Sequence, residues 1–387
     1  MAEPVIKGWC PGALRPMLSG DGWVVRLRPP EGRLSPQQAS GIARLALEFG
    51  NGVIGLSVRA NIHLRGVIEQ GIGQLVERLD GLGLIDETHD AEERRNIVLT
   101  PFWSSEDGIV RLAAALAASM TASDAPRLPA KFGFAIDCGP IPVLSGVPAD
   151  IRLERGADGG LICRASGVAS GARVSADTAV DTMLALANWF VQSGGITGHR
   201  GRMTSHIARG AVLPEIFTEA MAQSASTFSP KPGPVAAGVL VGFEFGQVPA
   251  DMLRTLSDMG ALRVTPWRML LIEGVSATPD LPGLVTRAND PMLRVIACTG
   301  APGCLQAEQP TRALAKSLAP HLPDDAVLHV SGCAKGCAHA GPAPLTLTAQ
   351  ANGFDLIRHG TARDRPQRRG LTAEFLAANP AILREAP

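Results

Sequence analysis

Cys298-Thr299-Gly300-Ala301-Pro302-Gly303-Cys304 and Gly332-Cys333-Ala334-Lys335-Gly336-Cys337 decide the reading of this chain, because they gather four of its seven cysteines into two tight pairs. Twenty-eight residues separate Cys304 from Cys333. Gly and Pro between the thiols let backbone N–H groups turn toward sulfur, which lowers the energy of thiolates and of cluster sulfides. Four thiolates suit a 4Fe–4S cube, with Cys298, Cys304, Cys333 and Cys337 as its metal ligands. A structural zinc is the nearest rival, although neither pair is Cys-x2-Cys. Disulfides are the plainest alternative. Against them, Cys10, Cys138 and Cys163 are scattered and no charged-then-apolar leader opens the chain, which points to a reducing, cytoplasmic setting.

Outward from that frame, 387 residues are enough for two or three domains, each with its own core. Lys+Arg and Asp+Glu balance at 36 each, so net charge points neither to nucleic acid nor to an anionic membrane surface. No apolar run approaches the length of a membrane span. Tyrosine is absent and aromatics are scarce, which leaves the cores to Ala, Val, Leu and Ile and makes base-stacking platforms an unsuitable reading.

The order of elements repeats. Trp23-Val24-Val25-Arg26-Leu27-Arg28 alternates apolar and polar residues as a strand does, and Ser35-Pro36 opens a helix over about 36–49. Strands at 55–58 and around 62–64 and a helix near 70–82 follow. The same series returns as a strand at 237–243, a helix at 249–258 and strands at 261–265 and 268–272, and each block closes on Gly-Val, at Gly66-Val67 and Gly274-Val275. A twofold internal repeat of ferredoxin-like half-domains is the most economical shape. The expected division is a first ferredoxin-like half-domain at 8–85, an αβ domain at 86–225, a linker at 226–234, a second half-domain at 235–285, and an αβ domain with the cysteine frame at 286–387.

Two half-domain repeats with a Cys-x5-Cys and Cys-x3-Cys frame in the second copy resemble the sulfite and nitrite reductase superfamily over nearly the whole chain. The resemblance implies an α+β, pseudo-twofold fold in which the four cysteines hold a 4Fe–4S cluster. In the reductases Cys337's counterpart also bridges to sirohaem. It further implies cationic, substrate-binding residues at Arg59 in Ser57-Val58-Arg59, at Arg95 in Arg95-Asn96, and at Lys131 in Leu128-Pro129-Ala130-Lys131-Phe132. Where the reductases carry a second lysine, this chain has Gly133, which reads as opening room beside Lys131. The loops at 298–304 and 332–339, with Thr265-Pro266-Trp267-Arg268, are most similar to the precorrin-3B synthase branch of the superfamily, in the aerobic cobalamin pathway.

That branch implies an oxidoreductase, a monooxygenase that takes precorrin-3A and O₂ with an electron donor, hydroxylates the meso carbon between rings A and D, and closes a γ-lactone. It also implies a mononuclear non-haem iron, whose ligands the sequence does not reveal. His63 and His339 are the histidines placed nearest the expected pocket, as catalytic candidates or as ordinary hydrogen-bonding residues. The alternative is a small sirohaem-dependent sulfite or nitrite reductase. A cluster-bearing scaffold or redox partner is a third class.

Overall fold

The structure, a computed structural model, describes residues 11–223 and 230–384. The first repeat runs β1 (Met17–Ser19), β2 (Gly22–Leu27), β3 (Arg33–Leu34), α1 (Pro36–Phe49), β4 (Val53–Leu56), β5 (Ile62–Val67) and α2 (Ile72–Asp80). Helix α1 begins at a capping box: Ser35 Oγ accepts from the Gln38 N–H, the Gln38 side chain accepts from the Ser35 N–H, and Pro36 sits in the first turn. Its apolar face, with Ile42, Leu45 and Phe49, is buried.

The αβ unit behind it holds α3 (His89–Arg94), β6 (Ile97–Leu99), α4 (Ile109–Thr121), β7 (Phe134–Asp137), β8 (Ile151–Arg155), β9 (Leu161–Ala165), β10 (Ser170–Val174), α5 (Ala179–Gln192), α6 (Met203–Ala208) and β11 (Ala220–Met221). The second repeat runs β12 (Gly233–Val235), β13 (Gly238–Phe243), β14 (Gln247–Pro249), α7 (Ala250–Ser257), β15 (Leu262–Val264), β16 (Met269–Glu273) and β17 (Leu284–Val285). Last come β18 (Val295–Ala297), α8 (Arg312–Leu318), β19 (Leu328–Ser331), β20 (Ala343–Gln350), β21 (Gly353–Gly360), β22 (Arg368–Leu371) and α9 (Ala373–Ala378). The expected linker at 226–234 falls partly outside the described residues, and its last two residues already belong to β12.

The two repeats share their backbone in detail. Left-handed residues recur at matching places: Glu31 and Phe245 (φ 58° and 57°), Ala60 and Arg268 (53° and 60°), Gly66 and Gly274 (70° each). Ser57 Oγ accepts from the N–H groups of Arg59 and Asn61, and Thr265 Oγ1 accepts in the same way from Trp267 and Met269. They also interlock. The first sheet is ordered β1-β2-β5-β4-β14 and the second β12-β13-β16-β15-β3, so each repeat lends one short strand to the other's sheet. The inner faces of both sheets, with Val25, Leu64, Val241 and Leu270, join α1 and α7 in one core.

Each αβ unit has three parallel-paired strands at its start, β6-β7-β8 and β18-β19-β20. The loop after the first strand of each unit meets a sheet of the repeats. After β6, Pro101 and Trp103 carbonyls accept from Arg263 Nη1 on the second sheet at 2.8 and 2.6 Å. After β18, the Gly303 carbonyl accepts from Ser19 Oγ beside the first sheet at 2.9 Å.

Arg33 on β3 and Arg263 on β15 stand directly opposite one another in the lent-strand ladder. Glu273 bridges them, accepting from Arg33 Nη2 at 2.8 Å and from Arg263 Nε at 2.6 Å. Burial pushes its carboxyl up, but the two arginines outweigh that and hold it below its ordinary 4.5. A carboxyl lowered on folding stabilises above its unfolded pKa and loses that contribution as pH falls through the folded one. Glu273→Gln should therefore cost about 1–3 kcal/mol in urea unfolding at pH 7, and the gap to wild type should close as the medium is acidified below the ordinary glutamate range. Equal stability at pH 7 would contradict this role.

Candidate active site

Cys298 follows β18 and Cys333 follows β19, neighbouring parallel strands, so topology alone brings the two cysteine loops together. Cys298 Sγ accepts from the Gly332 N–H at 3.1 Å, a bond from one loop to the thiol of the other. Gly332 has to be small, since a Cβ there would meet Ala307 Cβ at 2.7 Å and Cys298 Sγ at 3.3 Å. Burial raises the thiols of Cys333 and Cys337 above their ordinary 9.0; Lys335 opposes it, and Cys298 and Cys304 add to it in both cases. The four sulfurs thus share one electrostatic neighbourhood. Cys138 and Cys163 are buried in the core of the first αβ unit, and Cys10 lies outside the described residues. Among the described residues no three His, Cys, Asp or Glu side chains surround one point closely enough for a single ion. A cubane, in which each thiolate takes its own iron, asks only that four sulfurs ring a common space.

Facing this frame is the outer side of the first sheet, and it is polar. Arg26 on β2 and His63 on β5 are register partners, and Arg26 Nε donates to His63 Nε2 at 3.0 Å. Nε2 is therefore an acceptor and the ring proton sits on Nδ1. Burial, then the charges of Arg26, Arg65 and Arg28, hold His63 well below 6.5, so it is a neutral imidazole at physiological pH. Arg65 forks onto Asp21 at 2.7 and 2.9 Å and reaches the Gly303 carbonyl of the cysteine loop at 3.4 Å. Arg312 opens α8, and burial and then Arg65 lower its guanidinium while nearby Cys298 favours the charge. Its Nε is buried with no hydrogen-bond acceptor among the described residues. Arg268, held in a left-handed turn, donates to the Ala338 carbonyl beside Cys337 at 3.1 Å.

The equivalent face of the second sheet is filled. Leu240, Leu271 and Arg263 stand there in place of Arg26, His63 and Gly55. Leu240, Met269 and Leu271 pack with Phe102 and Trp267, whose rings stack at 5.8 Å, and Arg263 lies over the Trp103 ring at 3.6 Å. One backbone is thus used twice, once closed by aromatic and aliphatic side chains and once lined with cations beside four thiols.

The structure places the expected binding residues unevenly. Arg59 Nη1 donates to the Lys131 backbone carbonyl at 3.0 Å, and Lys131 is exposed. Arg95 is engaged: it forks onto Asp86 at 2.7 and 2.9 Å and donates to the Arg28 carbonyl. His339 Nε2 lies 3.2 Å from the Pro342 carbonyl and its ring meets buried His329 edge-on at 5.6 Å. Gly133 corrects the expectation that it opens space: a Cβ there would meet Asn96 Nδ2 at 2.8 Å, because the Asn96 amide, bonded to the Phe132 carbonyl, fills the site. Arg26, Arg65 and Arg312 are not singled out by sequence, and Arg268 only as the end of the 265–268 motif; for Arg26 the available signal is the polar phase of the β2 alternation.

The nitrite/sulfite reductase ferredoxin-like half domain matches residues 15–82, the first repeat. The chain is 27% identical to the precorrin-3B synthase of Sinorhizobium sp along 93% of its own length and 84% of that protein's. It is 30% identical to the ferredoxin–nitrite reductase of Synechococcus elongatus over a shorter stretch, 32% of this chain and 26% of that one. Among solved structures, the Mycobacterium tuberculosis NirA protein superposes with a TM-score of 0.65 at 18% identity, covering 94% of this chain and 80% of that one. The chain thus carries a nitrite/sulfite reductase-type half domain in its first repeat and is similar to a precorrin-3B synthase over nearly its whole length. Its fold is an α+β fold shared with NirA, and like the reductase and synthase it resembles it is an oxidoreductase enzyme.

Within this fold Gly133 is part of the packing against Asn96. Gly133→Ala should destabilise the protein by about 1–3 kcal/mol, the usual range for overpacking, measured by urea unfolding. A neutral result would mean that Asn96 moves aside freely.

Proposed function

We propose that the chain acts as a precorrin-3B synthase, oxidising a carboxylate-fringed tetrapyrrole with O₂ at the cationic face of the first repeat. The observation that carries this reading is the contrast between the two sheets: the face beside the cysteine frame keeps Arg26, His63 and Arg65 where its twin is closed by Leu271 and Phe102. A flat macrocycle ringed with acetates and propionates requires a broad cationic bed, and arginine forks match carboxylates in geometry as well as charge. Arg26, Arg65, Arg268 and Arg312, with Arg59 and Lys131, supply it.

Cys298, Cys304, Cys333 and Cys337 would hold a 4Fe–4S cluster, which supplies single electrons to a reaction that O₂ cannot begin with a closed-shell molecule unaided. The residues around it have separate tasks. Burial of Arg268 and Arg312 keeps water from screening their charges, so they orient acidic arms. His63, neutral with its proton on Nδ1, donates a hydrogen bond to a substrate oxygen and carries no charge that would attract a further carboxylate. In overall balance, one oxygen atom enters the meso position between rings A and D as hydroxyl, the other leaves as water with two electrons and two protons from the donor, and an acetate closes the lactone. For a mononuclear iron no ligand set is gathered among the described residues.

Protein prepared without oxygen should contain about four iron and four sulfide per chain. Ser at any of the four frame cysteines should abolish that content, while Cys138→Ser and Cys163→Ser should retain it. With precorrin-3A under ¹⁸O₂ the product should carry label. Robust sulfite or nitrite reduction with no ¹⁸O in any tetrapyrrole would overturn the reading in favour of a sirohaem reductase.

A further inference from the structure

Arg26, His63, Gly55 and Gln247 are register partners in one row across the outer face of the first sheet, from β2 through β5 and β4 to β14. Leu240, Leu271, Arg263 and Arg33 form the same row on the second sheet. Position for position, Arg263 stands where Gly55 does. There the arginine is only 7% exposed, and its side chain reaches Glu273, Pro101 and Trp103. All four residues of the first row stay half-buried, so this face keeps accessible surface where Leu240, Leu271 and Arg263 seal its twin.

A glycine inside a strand costs conformational entropy and packs nothing, and its usual reasons are a special backbone angle or the close approach of another group. Every other glycine in a described strand has one of these: φ is positive, or a neighbour stands within 3.2 Å of where a Cβ would be. Gly55 has neither. The nearest atoms to a Cβ there all belong to His63, with its Cβ at 3.5 Å and its Nδ1 at 3.8 Å, which are ordinary contact distances. The chain itself therefore does not require a glycine at 55, whereas a ligand lying over the strand would. His63 points to the same place. Arg26 holds Nε2 at 3.0 Å, so the proton on Nδ1 is turned to the Gly55 side. Beyond the gap Gln247 ends the row with an amide that both donates and accepts.

We propose that the gap over Gly55 receives one carboxylate arm of the ligand on this face, its oxygen accepting from His63 Nδ1–H with the Gln247 amide as second donor, and that Gly55 is a specificity-determining residue because any side chain there closes the gap. That the arm belongs to a tetrapyrrole rests on the function proposed above; the gap and its donors do not. The consequence is positional. A flat ring held by arginines alone can turn in its own plane and exchange one carboxylate for the next. One arm lodged over Gly55 fixes a single setting of the ring, and with it which meso carbon faces the cysteine frame.

The test uses the full chain prepared without oxygen, with uroporphyrin binding followed by fluorescence. Gly55→Val fills the gap on a backbone outside the left-handed region. It should weaken binding by about tenfold or more, the loss of a charge-assisted hydrogen bond, without lowering the melting temperature or the iron and sulfide content. Gly55→Ala adds one carbon at ordinary contact distance from His63 and keeps the test decisive if the valine variant does not fold; its loss should be about threefold or more. His63→Phe separates the gap from a general change in the cationic bed. Alone it should weaken binding by about fivefold or more, and in the Gly55→Val background by less than about twofold, because both changes remove the same contact. Unchanged affinity in the Gly55 variants, or losses that multiply in the double variant, overturns the proposal and leaves the macrocycle reading in place. If wild type binds no uroporphyrin, that reading fails by itself, and propionate decides the gap: a saturable rise in melting temperature that Gly55→Val abolishes upholds it for a free short acid, and the absence of such a rise overturns it.

Discussion

Antiparallel pairing of β3 with β15 and of β14 with β4 is the constraint on which the rest depends. Because each repeat completes the other's sheet, neither can present its outer face except in fixed relation to the other, and both outer faces are held at matched positions around one shared core. The αβ units then set the same loop, the one after their first parallel strand, against those two faces. With the backbone fixed twice over, function becomes a matter of which side chains occupy equivalent positions. Phe102 and Trp103 close one face; a thiol-bearing loop and a set of arginines furnish the other.

Much of this was legible in the sequence, for physical reasons that also explain the rest. Ser35-Pro36 disclosed the start of α1, and the Gly-Val closures marked the repeat because Gly66 and Gly274 both need a left-handed backbone. The lent strands were not visible: β3 has two residues and β14 three, too few for a period to show, and their partners lie more than 190 residues away in the chain. The cysteine frame was found because its chemistry is local in sequence. The cationic bed was not, because Arg26, Arg65, Arg268 and Arg312 come from four separate elements and only the fold brings them to the cysteine loops.

Two substituents illustrate how context decides a residue's use. Arg95 looks like a binding cation in sequence, yet Asp86 nine residues earlier takes its fork and makes it part of the wall beside Arg28. Gly133 looks like missing bulk, yet the space belongs to Asn96, so the glycine is a packing requirement and says nothing of the proton supply to a substrate. His63 shows the reverse. An ordinary-looking strand histidine becomes a fixed neutral donor because arginines crowd it and one of them occupies Nε2.

The central claim is that one face of a doubled fold binds a polycarboxylate macrocycle and its twin cannot. The most direct measurement is an experimental structure of the anaerobically prepared protein with uroporphyrin bound. The account predicts the ring over Arg26, His63 and Arg65, with its edge toward Cys337. A ring seated against Phe102 and Trp267 on the second sheet, or at a surface away from both sheets, would contradict it.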